Sequence, residues 1–309
     1  MKLRVASVAF FLLLCALYGS GMALAGERIS AFVSIPPQKY VVQKIGGTLV
    51  SVSVMVPPGA NPHLYEPRPT QMADLSKSQV YFAIGITFET VWLPKFAKLN
   101  PKMRIVPTDK GIDKLTMVSH HHEDEKDGGD PAKAGPAHKE EASGTPDPHV
   151  WVAPPEVKII ARNIQEALTE MDPSNSRTYQ ANLEAFLKEI DKLDQDLAEI
   201  FSDKKGLKFM VYHPAWGYFA RAYGLEQVPV EMEGKEPKPE QLKALITQAK
   251  RDGIRIIFVQ PQFSTKSAET IAKAINGQVI VADNLREDWE KNLRVQAQKF
   301  KQALATKNQ

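Results

Sequence analysis

Between Ser174 and Phe201, the residues Tyr179, Leu183, Phe186, Ile190, Leu193, Leu197 and Ile200 recur at alternating spacings of four and three. That rhythm draws a single apolar stripe along one side of an α-helix. At 1.5 Å per residue, a helix over this stretch runs about 40 Å, longer than a small domain is wide. A rod of this kind in mid-chain needs partners for its stripe from both the N-terminal and the C-terminal parts of the chain. A second helix over Pro155–Met171 leads into it. Asp172-Pro173-Ser174 punctuates the two, with Ser174 placed to act as an N-cap.

On both sides of this pair the chain alternates strand and helix. Ile29–Ser34, Val50–Val56, Val80–Ile84 and Arg104–Val106 are short apolar or β-branched runs bounded by Pro, Gly or polar residues. They read as strands, with helices over Pro37–Ile45, Thr70–Ser76 and Glu89–Lys98 between them. After the long helix the pattern returns. Strands are expected at Leu207–Tyr212, Gln227–Val230, Ile254–Gln260 and Gln278–Ala282, and helices at Trp216–Tyr223, Pro239–Arg251 and Lys266–Ile275. Such alternation implies parallel sheets covered on both faces. The expected fold is α/β: two (β/α) lobes, each with a parallel four-stranded sheet, joined by a long connecting helix. The expected division is an N-terminal lobe over 26–172, the connecting helix over 173–203 and a C-terminal lobe over 204–309. A stiff helical connector predicts little relative motion of the lobes.

The length of 309 residues suits two domains, and a hydrophobic share of 43% with 24% charged residues is enough for a proper core. Lys and Arg number 39 against 36 Asp and Glu, a formal charge of +3. This offers no concentrated basic face for nucleic acid. The single cysteine, Cys15, can form no internal disulfide and no multi-thiolate site. Histidine and carboxylate remain as the metal-binding chemistry.

The first 25 residues are expected to be a signal peptide rather than part of the fold. Lys2 and Arg4 give a positive start, Val8–Leu17 is almost wholly apolar, and Ala23-Leu24-Ala25 has the small-x-small pattern of a cleavage site. The apolar run falls short of the ~20 residues of a membrane span. Leu14, ahead of Cys15, is not the small residue that lipid attachment requires. Export with cleavage after Ala25 is expected, and a disulfide-free exported chain fits a bacterial periplasm.

One stretch breaks the pattern. Ser119–Pro146 holds His120, His121, His122 and His138 among seven Asp and Glu and only three Lys, with almost no large apolar residue. Such a composition cannot offset its ordering entropy, so a mobile loop is expected. Short histidine-rich tracts suggest metal capture, here at a weak site, although a solvated acidic linker has the same composition.

Only His63, His149 and His213 lie outside that stretch. His63 follows the Val50–Val56 strand through a Pro/Gly-rich turn. His149 stands at the exit of the acidic loop, and His213 directly follows the Leu207–Tyr212 strand. Asp283 likewise follows the Gln278–Ala282 strand. In parallel sheets, ligands bind beyond the carboxyl ends of strands, so these residues from both halves converge only in a cleft between the lobes. Three imidazoles and a carboxylate make a four-ligand shell suited to Zn²⁺. Imidazole also suits Cu, Fe or Ni, whereas Mg and Ca prefer oxygen. Taken singly, each of these residues also has a purely structural explanation. Asp283, for example, suits the N-cap of a helix starting near Glu287.

Several segments together carry a resemblance. Asn61-Pro62-His63-Leu64-Tyr65-Glu66-Pro67, Asp147-Pro148-His149-Val150-Trp151 and His213-Pro214-Ala215-Trp216-Gly217-Tyr218-Phe219-Ala220 are followed by Glu233-Gly234-Lys235-Glu236-Pro237, Phe258-Val259-Gln260-Pro261-Gln262-Phe263-Ser264 and Ala282-Asp283-Asn284-Leu285. In this order they resemble the periplasmic zinc-binding component of bacterial ABC metal importers, in the zinc/manganese branch of the solute-binding proteins. The histidine- and acid-rich loop is characteristic of the zinc-preferring members. The resemblance implies two (β/α) lobes bridged by a long helix with metal between them, and His213, where manganese members carry a carboxylate, points to zinc. Relatives more often show proline after the aspartate where this chain has Asn284, so Glu66, Glu231 or a water are alternatives to Asp283 as fourth ligand.

The implied function is capture of Zn²⁺ and delivery to a membrane permease by a monomeric, non-enzymatic protein. A closed four-ligand shell leaves no position for an activated water. Because Zn²⁺ needs neutral imidazole, affinity is expected to fall as pH drops through ~6.5. The rival readings are a manganese- or iron-binding importer component, a zinc-dependent hydrolase with an open coordination site, and, more weakly, a surface adhesin.

Overall fold

The computed structural model describes residues 28–117, 144–232 and 234–305. The expected leader and the loop histidines His120, His121, His122 and His138 lie outside the described residues.

The first half runs β1 (Ile29–Val33), α1 (Pro36–Gly46), β2 (Val50–Val54), α2 (Pro69–Leu75), β3 (Val80–Ala83), α3 (Thr87–Leu99) and β4 (Arg104–Pro107). Then come α4 (Pro154–Met171) and α5 (Ser176–Ile200). The second half is β5 (Lys208–Val211), α6 (Gly217–Tyr223), β6 (Glu226–Pro229), α7 (Pro239–Arg251), β7 (Ile256–Val259), α8 (Lys266–Ala274), β8 (Gln278–Val281) and α9 (Trp289–Ala305).

The two sheets share one topology. Their strand orders are β2-β1-β3-β4 and β6-β5-β7-β8, and every pairing is parallel. β3 and β7, flanked on both sides, are buried at every residue. Their sequences, VYFA and IIFV, have no polar position because helices cover both faces of the sheet. The edge strand β2 instead alternates, with Ser51 and Ser53 outward. In each sheet the chain leaves the first strand in one direction and later returns to its other side. The resulting switch points lie between β1 and β3 and between β5 and β7, where a crevice opens at the carboxyl ends of the strands.

α5 uses the stripe seen in its sequence: Tyr179, Leu183, Phe186, Ile190, Leu193 and Leu197 are all buried. It packs on α1 and α4 from the first half and on α9 from the second. One apolar core therefore runs unbroken from Phe32 and Phe82 through Phe186 to Phe209, Phe258 and Phe300. A smaller core around Met210, Val230, Leu245, Ile257 and Ile271 fills the other face of the second sheet.

Two local expectations change. Ser174 is not the N-cap of the long helix. It lies in a 3-10 turn, Pro173–Asn175, and its hydroxyl donates to Asp172 Oδ1 at 2.6 Å. Asp172 Oδ2 also accepts from Asn175 Nδ2 and Tyr179 Oη, so the aspartate organises the corner. The terminal helix α9, for which the sequence suggests only a start near Glu287, extends over Trp289–Ala305 and buries Trp289, Leu293, Ala297, Phe300 and Leu304.

Candidate metal centre

Each of the three histidines outside the acidic loop is set by its own local device. The turn after β2 carries His63, whose backbone N–H donates to Asn61 Oδ1 at 2.9 Å. Gln71, on α2, braces that turn by accepting from Tyr65 Oη and the Arg68 N–H and donating to the Met55 carbonyl. His149 opens the 3-10 turn Val150–Val152, and Asp147 Oδ1 accepts from both its backbone N–H (2.9 Å) and its Nδ1 (2.7 Å). His213 ends β5. The Gln260 side chain holds its backbone from both directions, donating to its carbonyl at 2.7 Å and accepting from its N–H at 3.3 Å. Phe263 stacks on the His213 ring at 4.6 Å between centroids and 18° between planes.

The three rings meet. His213 Nε2 lies 3.1 Å from His149 Nε2 and 3.2 Å from His63 Nε2. Among the described residues they form a group of ligand atoms within 4.8 Å of one another. Neighbouring donors of a tetrahedral Zn²⁺ with ~2.0 Å bonds lie about 3.3 Å apart, so the spacing suits that ion. The cavity they share also touches Pro62, Ile86, Trp151, Gln262, Phe263, Asn284 and Leu285 and has a volume of about 10 Å³, room for a single ion or water.

Two buried carboxylates fix the ring tautomers. Glu231 Oε1 lies 2.7 Å from His213 Nδ1, as Asp147 Oδ1 does from His149 Nδ1. Each Nδ1 then carries the proton and each Nε2 presents its lone pair, the arrangement that orients metal-bound histidine. Among the described residues no carboxylate pairs with His63, which is also the least buried of the three. Burial, helped by the neighbouring rings of His213 and His149, lowers the His63 pKa to about 3. Burial also lowers the His213 pKa, against the opposing pull of Glu231. His63 is thus arranged as a neutral donor well into the acid range, and the His213 ring also takes up a proton at lower pH than a free histidine.

Asp283 does not join the three histidines. Its Oδ1 accepts from the Leu285 N–H at 2.9 Å, and its Oδ2 faces Arg286 at 3.8 Å. It lines a separate, open cleft of about 430 Å³ with Pro58, Gly59, Glu287 and Asp288. The physical reason lies in the turn after β8: the Trp151 indole donates to the Asn284 carbonyl, and Asn292 donates to the Asp283 carbonyl. The turn is thereby fastened with the carboxylate directed at its own backbone. Glu66 is exposed, and Glu231 serves His213 through Nδ1 rather than standing in the group.

Sequence reasoning assigns no role to Asp147, Gln260 or Phe263, although all three sit in the segments that carry the resemblance. One signal was available. A Cβ on Gly217 would stand 2.9 Å from Asp147 Oδ2, so glycine at the start of α6 marks the close approach of that carboxylate. A further device is Glu89, whose carboxylate accepts from Ser34 Oγ and from the N–H groups of Ile84 and Gly85. It shapes the turn after β3 that brings Ile86 to the cavity, and burial raises its pKa to about 7.

Comparison with known proteins adds a family. Residues 32–303 match the family model described as zinc-uptake complex component A, periplasmic. The chain is 27% identical over 281 residues to the zinc-binding protein AdcA of Streptococcus pyogenes serotype M3, covering 88% of this chain and 53% of that protein. It thus spans about half the length of that relative. It is also 27% identical over 276 residues to the high-affinity zinc uptake system protein ZnuA of Bacillus subtilis, covering 87% and 83% of the two chains. A crystal structure of ZnuA superposes with a TM-score of 0.80 at 42% identity, covering 90% of this chain and 99% of the other.

Proposed function

The chain belongs to the zinc-uptake complex component A family, and from that premise we propose that it captures Zn²⁺ outside the cytoplasmic membrane and delivers it to the permease of an ABC importer. The observation that carries the reading is the convergence of three Nε2 atoms at 3.1 and 3.2 Å, two of them on rings whose tautomer a buried carboxylate fixes. Nitrogen-rich shells suit Zn²⁺ over Mn²⁺, Mg²⁺ or Ca²⁺. His63, His149 and His213 are the proposed ligands.

The remaining parts of the proposal come from the sequence. Export uses a leader cleaved after Ala25, the periplasm is the compartment, and the protein acts as a monomer. The lobes divide at 26–172 and 204–309 around the helix over 173–203. Solute-binding transport proteins hold cargo rather than transform it. Consistent with that, Asp147 and Glu231 are both engaged with histidine Nδ1 atoms, so neither stands as a general base for a hydrolase.

His120, His121, His122 and His138 are proposed to collect zinc weakly and pass it to the cleft. The ends of their segment are drawn together beside the site: Met117 N–H donates to Thr145 O at 2.9 Å, and Asp147 N–H to Leu115 O at 2.6 Å. Removing 118–143 keeps this stem. Calorimetry of that variant should give one tight site and a lower total stoichiometry than the full chain, and an unchanged stoichiometry would end the idea of binding by the segment.

A further inference from the structure

The His149 segment comes before the connecting helix in the chain, yet it is fastened to the second lobe. Downstream of His149, the Trp151 indole donates to the Asn284 carbonyl at 2.8 Å, and the Trp289 indole donates to the Trp151 carbonyl at 2.6 Å. Upstream, the tie is the hydroxyl of Tyr218 on α6, bonded to the backbone of Asp147. We propose that Tyr218 is a positioning residue for zinc capture, setting the separation of His149 from His213 through Asp147. The inference rests on the zinc-capture reading and adds to it a group that touches no metal.

Tyr218 is fully buried, and its hydroxyl is used in both directions. It donates to the Asp147 carbonyl at 2.7 Å and accepts from the Leu115 N–H at 3.1 Å. The Leu115 carbonyl in turn accepts from the Asp147 N–H at 2.6 Å. Asp147 is thus held on both sides of its backbone while its Oδ1 accepts from the His149 N–H and Nδ1. The other end of the link is His213 itself, since α6 begins just after the turn that carries that ring. Gly217, beside Tyr218, lies so close to Asp147 that a Cβ would stand 2.9 Å from its Oδ2.

The phenol is also braced. The Arg221 guanidinium lies over its ring, 5.0 Å from the centroid, and donates to Glu156 Oε1 at 2.7 Å and to the Asp113 carbonyl at 3.3 Å. A stiff aromatic side chain held in this way acts as a spacer of fixed length. Such support matters because a site works only when its donors stand at the right separation before the ion arrives. His63 is set independently: its turn is bonded to Asn61, Gln71 and Met55, all in the first half of the chain. Tyr218 therefore governs one pair of rings and not the third.

The test measures Zn²⁺ affinity by chelator competition for Y218F in the wild-type, H63A and H149A backgrounds, with the visible absorption of the Co²⁺-loaded protein as a second readout. In the wild-type background Y218F should bind about three- to tenfold more weakly, the effect of one hydrogen bond, and its Co²⁺ spectrum should shift. The loss should persist in H63A and vanish in H149A, because the hydroxyl acts through His149. G217A, which crowds Asp147 Oδ2, should repeat the pattern and decides by the same criterion if Y218F does not fold. Equal losses in the H63A and H149A backgrounds would make Tyr218 a general support of the fold and overturn the assignment. Wild-type affinity with an unshifted spectrum in Y218F would overturn it too. If Y218F is neutral while H149A loses binding, only the role of Tyr218 is wrong and zinc capture stands. If H63A and H149A both bind as wild type does, the capture site itself is wrong.

Discussion

His149 and His213 present their Nε2 atoms to each other across 3.1 Å, while the Nδ1 of each is held at 2.7 Å by a buried carboxylate. Two lone pairs facing at that distance are stabilised by a cation between them. The carboxylates therefore contribute to metal binding without touching metal. Asp147→Asn and Glu231→Gln should each weaken zinc binding by about 10- to 100-fold. Chelator competition checks this, and affinities within twofold of wild type would show that the tautomers are fixed by something else.

The pH dependence of binding follows from the lowered histidine pKa values. A proton competes with Zn²⁺ only once the folded-state imidazole begins to accept it. Burial holds the His63 pKa at about 3 and that of His213 below its ordinary value. Affinity should therefore fall less steeply between about pH 7 and 6 than it would for three histidines at the free pKa of ~6.5. In the metal-free protein the unfolded chain takes up the His63 proton near pH 6.5 and the folded chain only near 3. His63 thus makes stability fall as pH drops across that window. Titrations at several pH values test the binding claim, and a loss of about tenfold between pH 7 and 6 would refute it.

Phe300 fastens α9 to the aromatic core of the second lobe. It is fully buried and meets Phe209, Trp216, Phe219 and Phe258, with ring centroids between 4.6 and 5.4 Å. Phe300→Ala should cost about 3–5 kcal/mol of stability, read from denaturant unfolding of the metal-free protein. A loss below about 1 kcal/mol would mean that α9 is not a structural part of the second lobe.

Much of this was legible in the residues. All eight strands fall inside or within a residue of runs of apolar and β-branched residues, and the long helix was evident in the spacing from Tyr179 to Leu197. Local periodicity carries such elements because each one buries its own face. The three histidines could be proposed because each ends a strand or flanks a turn at the cleft. Asp283 stands apart from the three rings because its orientation depends on bonds from Trp151 and Asn292, which follow no period that sequence spacing would reveal. The contact of Glu231 with His213 was hidden for a related reason. A carboxylate on Nδ1 leaves no local mark, since it is defined by the ring that the fold brings opposite it.

Zinc capture by the three histidines is tested by zinc titration of the full chain in competition with a chelator, alongside His63→Ala, His149→Ala, His213→Ala and Asp283→Ala. Wild type should show one tight site with zinc preferred over manganese, and each histidine variant a loss of at least about tenfold, with Asp283→Ala close to wild type. Wild-type zinc affinity in any of the three histidine variants, or manganese bound in preference to zinc, would contradict it.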